Sequence, residues 1–207
     1  MAQADTGPRK TRIQAQNEEL ILKAALEVFS AYGFRGATVD QIAASCGLSK
    51  PNLLYYFRRK EDIYVAVLEH TLQDWLEPLR QMDAAGEPIA EITRYIRAKI
   101  RMSRDNPAAS RLFANEILHG AAAIGGFLKG PLRQLVDEKA AIIQGWIAEG
   151  RLNPVDPQHL IFAIWATTQH YADFDAQVSA VTGNPPDVMQ KAEETLTTLF
   201  VEGLRPR

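Results

Sequence analysis

The chain has 207 residues with 23 Lys+Arg against 25 Asp+Glu, a formal net charge of −2, and 46 % apolar residues. That length suits one large domain or a small domain joined to a larger one, with enough apolar material for a packed core. A single cysteine excludes an intrachain disulfide, no apolar run is long enough to span a bilayer, and the polar, basic start from Met1 to Arg12 is unlike a secretory leader, so a cytoplasmic location without membrane partners is expected.

In chain order, residues 1–16 look like a flexible basic arm. From Asn17, apolar residues recur at helical spacing (Leu20, Ile21, Ala24, Ala25, Val28, Phe29), and Gly33 and Gly36 should end that helix. Thr38 with Gln41 three residues on is the capping-box pattern and opens a short helix. Cys46-Gly-Leu-Ser49 interrupts it, and a second short helix runs from Ser49 to about Tyr56. A long helix starts near Lys60 and passes Trp75, and Pro78 is expected to kink or end it. Pro88 opens a segment ending near Arg104, and Asn106-Pro107 opens another, each proline suiting the first helical position. His119–Gly130 is glycine-rich and reads as a loop or broken helix. Pro131–Glu149 is amphipathic. Asp156-Pro157 starts a long apolar helix through Val178, Gly183-Asn-Pro-Pro186 breaks it, and a last helix runs to Gly203. No strong period-two alternation and no internal repeat is visible, so the expected fold is all-α with about nine helices.

The segment Thr38–Phe57 carries the most information. Two short helices joined by a tight turn must cross closely. Ala43 is small where they approach, Gly47 sits where a left-handed backbone is needed, and Ile42, Leu48 and Leu53 are spaced to form a small core beneath. That is the geometry of a helix-turn-helix, whose second helix lies in the major groove. Ser49 is a good N-cap, Lys50 and Asn52 stand near the N-terminus of that helix, and Tyr55 and Tyr56 can bond phosphates or bases. Thr38 and Lys60 open the flanking helices, whose N-terminal amides favour a phosphate. Charge agrees: residues 1–60 hold nine Lys/Arg and five acids, a net +4, which leaves −6 for the rest. A basic head on an acidic body fits a chain of which only the head touches a polyanion.

Residues 17–65 resemble the N-terminal domain of the TetR family of regulators, through Ala25–Phe29, Tyr32-Gly-Phe34, Thr38-Val39, Ile42-Ala43, Gly47-Leu-Ser49 and Phe57 followed by Lys60-Glu61. The chain departs from that pattern at Pro51, which the first turn of a helix tolerates, and at Leu54, where the family usually offers a phosphate-binding Tyr. Beyond residue 65, the segments Trp75-Leu-Glu-Pro-Leu79, Asp137-Glu-Lys139, Asp156–Phe162, Trp165–Phe174 and Glu202–Arg207 resemble the pyrimidine-utilisation repressors of that family. The resemblance implies a three-helix helix-turn-helix domain over 17–60 and a helical ligand-binding and dimerisation domain over 61–207. It further implies a homodimer on a palindromic operator in double-stranded DNA, no cofactor, and uracil or thymine as the effector that releases the DNA.

Uracil is small, flat and neutral, with an edge of alternating N–H donors and carbonyl acceptors. A matching site needs an aromatic plate and a side-chain amide. Trp165 and Gln169 are four apart on one helix face, Asp173 continues that face, and Trp75 on the long helix is a second plate. Ser110, Arg111 and Asn115 form a further polar set that suits the same pocket. Ile161, Ile164, Thr168 and Tyr171, with Ala192, Leu196, Leu199 and Phe200, are expected on the dimer face of a four-helix bundle. The long helix from Lys60 to about Leu79 joins the two domains and is expected to act as a lever.

Two other readings have less behind them. An enzyme would need catalytic or metal-binding groups in register, but His70, His119, His159 and His170 show no ligand spacing, Cys46 lies inside the helix-turn-helix, and there is no glycine-rich phosphate loop. An architectural DNA-binding protein would need no pocket. Within the favoured class, a different small apolar or aromatic ligand is the alternative, because fold does not fix ligand.

Overall fold

Ile21, Ala24, Ala25, Val28 and Phe29 are all buried, so the 3.6-residue period read from the chain is the core-facing stripe of the first helix. The computed structural model describes residues 12–206, and their contacts divide the chain into two units after Leu68.

In the first unit, helix α1 (Arg12–Gly36) is interrupted at Gly33, whose φ of 67° only glycine adopts without strain. Of the basic arm expected over 1–16, residues 12–16 are helical, as the good helix formers Gln14, Ala15 and Gln16 favour, and residues 1–11 lie outside the described residues. Helices α2 (Val39–Ser45) and α3 (Lys50–Tyr56) follow, and α4 (Lys60–Arg80) carries residues of both units. Ile21, Ala25, Phe29, Ile42, Leu53 and Ile63 are almost completely buried, and Tyr64 meets Phe29 edge-on at 5.0 Å and Phe34 at 4.9 Å. Pro78 does not end α4, which continues to Arg80. One lost N–H costs little two residues from a helix end, and the Arg80 guanidinium donates to Gln73 O at 3.0 Å.

The second unit contains α5 (Pro88–Asp105), α6 (Pro107–Leu118), the short α7 (Gly125–Phe127) running into a π-helical turn (Leu128–Leu132), α8 (Arg133–Ala148), α9 (Pro157–Asp173), α10 (Asp175–Thr182) and α11 (Val188–Leu204). All regular structure among the described residues is helical. Its core gathers Ile92, Tyr95, Ile96 and Ile100 of α5 with Ile143 and Trp146 of α8, Leu160, Ile161 and Ile164 of α9, and Leu196 and Leu204 of α11. The helix expected through Val178 stops at Asp173: Phe174 leaves helical geometry (φ −116°, ψ 31°) and stacks on His170 at 5.0 Å. No glycine or proline marks that break, which is why periodicity ran through it.

The loop joining α4 to α5 is held by side chains from elsewhere in this unit. Arg94 donates to Gln81 O at 3.1 Å, Lys139 to Met82 O at 3.3 Å, Trp146 Nε1 to Ala84 O at 3.0 Å and Arg151 to Gly86 O at 2.8 Å. Buried Glu91 accepts from Asp83 N at 3.0 Å, and a Cβ at Gly86 would meet its Cγ at 2.7 Å. Among the described residues, no helix is long and apolar enough to cross a membrane.

Candidate functional site

The turn between α2 and α3 forms as its residues dictate. Thr38 Oγ1 accepts from Gln41 N–H at 3.2 Å while Thr38 N–H donates to Gln41 Oε1 at 2.8 Å, the reciprocal capping box. Gly47 has φ 69°, and Leu48 N–H closes on Ala43 O at 2.9 Å. Ser49 Oγ accepts from Asn52 N–H at 3.3 Å, and Pro51, in the first turn of α3, forfeits no hydrogen bond. Ala43 and Leu53 are buried where the helices cross, while Leu48 is half-buried.

This packing leaves one face of α3 in water. Lys50 and Asn52 are exposed, and Tyr55 is 73 % exposed with its ring edge-on to Tyr56 at 5.3 Å. Lys50 Nζ pairs with Asp40 at 2.8 Å, but both side chains are at least half exposed, and such a pair contributes at most about 1 kcal/mol. A phosphate or a base edge can therefore replace Asp40. Tyr56 is half-buried and its oxygen accepts from Asn17 Nδ2 at 2.7 Å, which leaves the phenolic O–H free to donate outward. The hydroxyls of Thr38 and Ser49 serve as caps, so these two residues offer helix N-termini more than side chains. Lys60 differs from its expected part. Its ammonium donates to Phe34 O at 2.7 Å and Ala37 O at 2.8 Å and lies 4.6 Å over the Phe34 ring, so it ties α4 to the end of α1.

A second cluster lies wholly within the other unit. On α9, Trp165, Gln169 and Asp173 are one turn apart and all half-buried. Trp165 Nε1–H donates to Tyr95 OH of α5, and burial pushes the Tyr95 phenol up. At the far end of the row, Ser110 Oγ–H of α6, fully buried, donates to Asp173 Oδ1. Desolvation pushes the Asp173 carboxyl above its ordinary value, against the pull of Ser110, Lys99, Arg111 and His170. Between these anchors the Gln169 amide makes no hydrogen bond to protein among the described residues.

Lys99, one turn after Tyr95 on α5, is a buried charged side chain beside this cluster that sequence reasoning missed. It is 3 % exposed, its Nζ lies 4.4 Å from the centre of the Trp75 ring, and burial lowers its pKa to about 7 against the opposing pull of Asp173. Trp75 itself is buried, with Phe113 at 6.0 Å, so one ring face already carries a cation instead of being an open plate. The signal was available, since Lys99 interrupts the apolar stripe of Ile92, Tyr95, Ile96 and Ile100.

Two other expectations need correcting. Asn115 does not join the cluster: it lies roughly 140° round α6 from Ser110 at about 100° per residue, and it is exposed. Arg111 is also exposed, although its guanidinium reaches Ala172 O at 3.4 Å beside Asp173. Ile161, Ile164, Thr168, Ala192 and Leu196 face the unit's own interior, because their helices pack on α5 before any partner. The large apolar side chains left in water along α9–α11 are Phe162, Phe174, Val181 and Leu199, of which only Leu199 was among the expected dimer-face residues.

Both units match known families. Residues 21–67 match the bacterial regulatory proteins of the tetR family, and residues 68–207 match the C-terminal region of YcdC-like proteins. The chain is 49 % identical over 205 residues to the HTH-type transcriptional regulator RutR of Escherichia coli strain K12, covering 98 % of this chain and 96 % of that protein. Among solved structures it is similar to the ketosteroid transcriptional regulator KstR2 of Mycobacterium tuberculosis (TM-score 0.69, 17 % identity, 96 % of this chain and 98 % of that one). It is similar also to the fatty acid degradation regulator FadR of Bacillus halodurans (TM-score 0.68, 20 % identity, 96 % and 100 %). At those identities the two structures speak for the fold alone. With the family matched in the reading helices and a relative of nearly half identity along almost the whole chain, the protein belongs to the TetR family of non-catalytic, helix-turn-helix DNA-binding regulators.

Proposed function

We propose that this regulator is a repressor of pyrimidine metabolism that leaves its operator when uracil or thymine binds. Residues 17–60 read the DNA, and residues 61–207 hold the effector and the dimer contact. The observation that carries the reading is the half-buried row of Trp165, Gln169 and Asp173, fixed at both ends by Tyr95 and Ser110 and with no protein hydrogen bond in the middle at Gln169. A site with fixed walls and one open amide matches a small flat ring with alternating donors and acceptors. The sequence resemblance to pyrimidine-utilisation repressors supplies the ligand class, and the length of the match to RutR, which runs through the second unit, supports it.

Dimerisation is part of the proposal. One α3 reads too few bases to find a genomic site, whereas two on a twofold axis read a palindrome. Phe162, Phe174, Val181 and Leu199 leave an apolar surface that a second copy covers. The effector acts by binding the DNA-incompetent state more tightly, and a coupling of about 1–3 kcal/mol is the usual size.

The test is calorimetric titration of the purified protein with uracil, thymine and cytosine. It is run beside fluorescence anisotropy on a duplex that the protein itself selects from a random DNA pool. Micromolar binding of uracil or thymine with loss of DNA is expected. Tight DNA binding that none of the three rings disturbs would overturn the effector assignment and leave the DNA-reading unit untouched.

A further inference from the structure

Lys60, Lys139 and Lys99 have their ammonium groups drawn inward against other parts of the protein. Lys60 donates to two carbonyls, and Lys139, 5 % exposed, pairs with Glu138 at 2.8 Å and donates to Met82 O. Those two follow the rule that a buried cation finds hydrogen-bond acceptors. Lys99 does not. At 3 % exposure it makes no hydrogen bond or ion pair among the described residues, and it rests on the face of Trp75, which attracts a cation but accepts no conventional hydrogen bond.

Its counter-charge is close but not in contact. Asp173 acts electrostatically on Lys99, yet the two lie beyond the 4.0 Å of an ion pair, and Asp173 Oδ1 is already engaged by Ser110. Each group pays for desolvation, the carboxyl shifting up and the ammonium down. Asp173 is also the last residue of α9, where the helix dipole is negative and a carboxylate is disfavoured. An acceptor placed against Lys99 and a donor placed against Asp173 relieve both groups at once. A carbonyl next to an N–H supplies that pair on adjacent atoms, as in any cyclic amide.

We propose that Lys99 and Asp173 are the specificity-determining pair of the effector site, Lys99 donating to a ring carbonyl and Asp173 accepting from the neighbouring ring N–H. The inference rests on the effector reading above and deepens it: the ligand class is a cyclic amide or imide, of which uracil and thymine are members. Gln169 reads a second edge, and Lys99 with Asp173 reads the first.

The experiment uses the full chain carrying Lys99→Met, which keeps the length and removes the charge, beside Asp173→Asn and the wild type. Each is titrated calorimetrically with uracil, thymine, hydantoin and succinimide, and with 1,3-dimethyluracil, which has carbonyls but no N–H. For the wild type, binding of at least one of the four cyclic amides and rejection of the dimethyl compound are expected. Lys99→Met should bind that ligand about thirtyfold more weakly, the usual loss of a hydrogen bond to a charged group. Its melting temperature should not fall, because removing an unpaired buried charge does not weaken a core. A residue that merely supports the fold would lower the melting temperature and leave the preference for N–H-bearing rings intact.

Affinity of Lys99→Met within threefold of the wild type overturns the proposal, as does equal binding of 1,3-dimethyluracil to the wild type. If hydantoin or succinimide binds through Lys99 while uracil and thymine do not, the pyrimidine reading fails and the pair stands. If no cyclic amide binds the wild type, both fail.

Discussion

In residues 12–68 the side chains offered to a partner stand in water, and the groups that hold the fold are different groups: Lys50, Asn52 and Tyr55 face out, while Thr38, Ser49 and Lys60 are spent on caps and carbonyls. In residues 69–206 the two tasks fall on the same side chains. Tyr95, Lys99, Ser110 and Asp173 are all partly or wholly buried, and in the proposed site each is both wall and recognition group. On the proposed function, the difference follows from the partners. A polyanion is met across a solvated surface by charges that give up weak surface pairs. A small neutral ring must be enclosed, so its donors and acceptors have to be desolvated beforehand.

The largest expected contrast is in salt. Operator affinity should fall about a thousandfold or more between 50 and 200 mM salt if each dimer neutralises several phosphates, whereas effector affinity should barely move. Parallel anisotropy and calorimetry over that range check this, and a flat DNA response would break the comparison at its first limb. Next in size is Gln169→Leu. It should weaken uracil binding about a hundredfold, because buried polar edges are left facing a methyl, and spare DNA binding without effector. Normal release of DNA by uracil in that variant would remove Gln169 from the site.

A third effect concerns the resident charge of the second unit. The folded pKa of Lys99 is about 7 and the unfolded value 10.5, so above pH 7 the unfolded chain binds the extra proton. Stability contributed through this group should therefore rise with pH, by about 2 kcal/mol between pH 7 and 9, and Lys99→Met should flatten that rise. Denaturant midpoints at the two pH values measure it, and an unchanged slope in the variant would place the charge elsewhere. The smallest effect belongs to the first unit. Thr38→Ala should cost about 1 kcal/mol, through lost capping and not lost DNA contact, and should show as a lower denaturation midpoint at fixed salt.

The first unit was the more legible from sequence because its determinants are local. Thr38 with Gln41, Gly47 and Ser49 act within three to five residues of themselves, and each does what its type and position imply. What stayed hidden there was long-range: Lys60 reaches carbonyls 26 and 23 residues away, so its place at a helix start pointed to phosphate instead. In the second unit, periodicity located α5, α8, α9 and α11 but could not say which neighbour covers an apolar face. Ile161 and Ile164 therefore read as dimer contacts when α5 already covers them. Trp165, Gln169 and Asp173 were legible as one row because one helix carries all three. Lys99 and Tyr95 were not, because they come from a different helix and only tertiary packing brings them to that row.

The tied loop between α4 and α5 bears on how this chain can be cut and extended. Surface connections usually tolerate added residues. Here four carbonyls from Gln81 to Gly86 are acceptors for side chains of α5, α8 and the segment after α8, so lengthening the loop would pull several bonds apart together. The connection at Gly183–Pro186 is mostly exposed, and its few hydrogen bonds are to close sequence neighbours. Within one protomer that stretch tolerates added residues, but Val181 beside it belongs to the surface proposed to meet a second copy, so a short flexible insertion suits it better than a bulky domain.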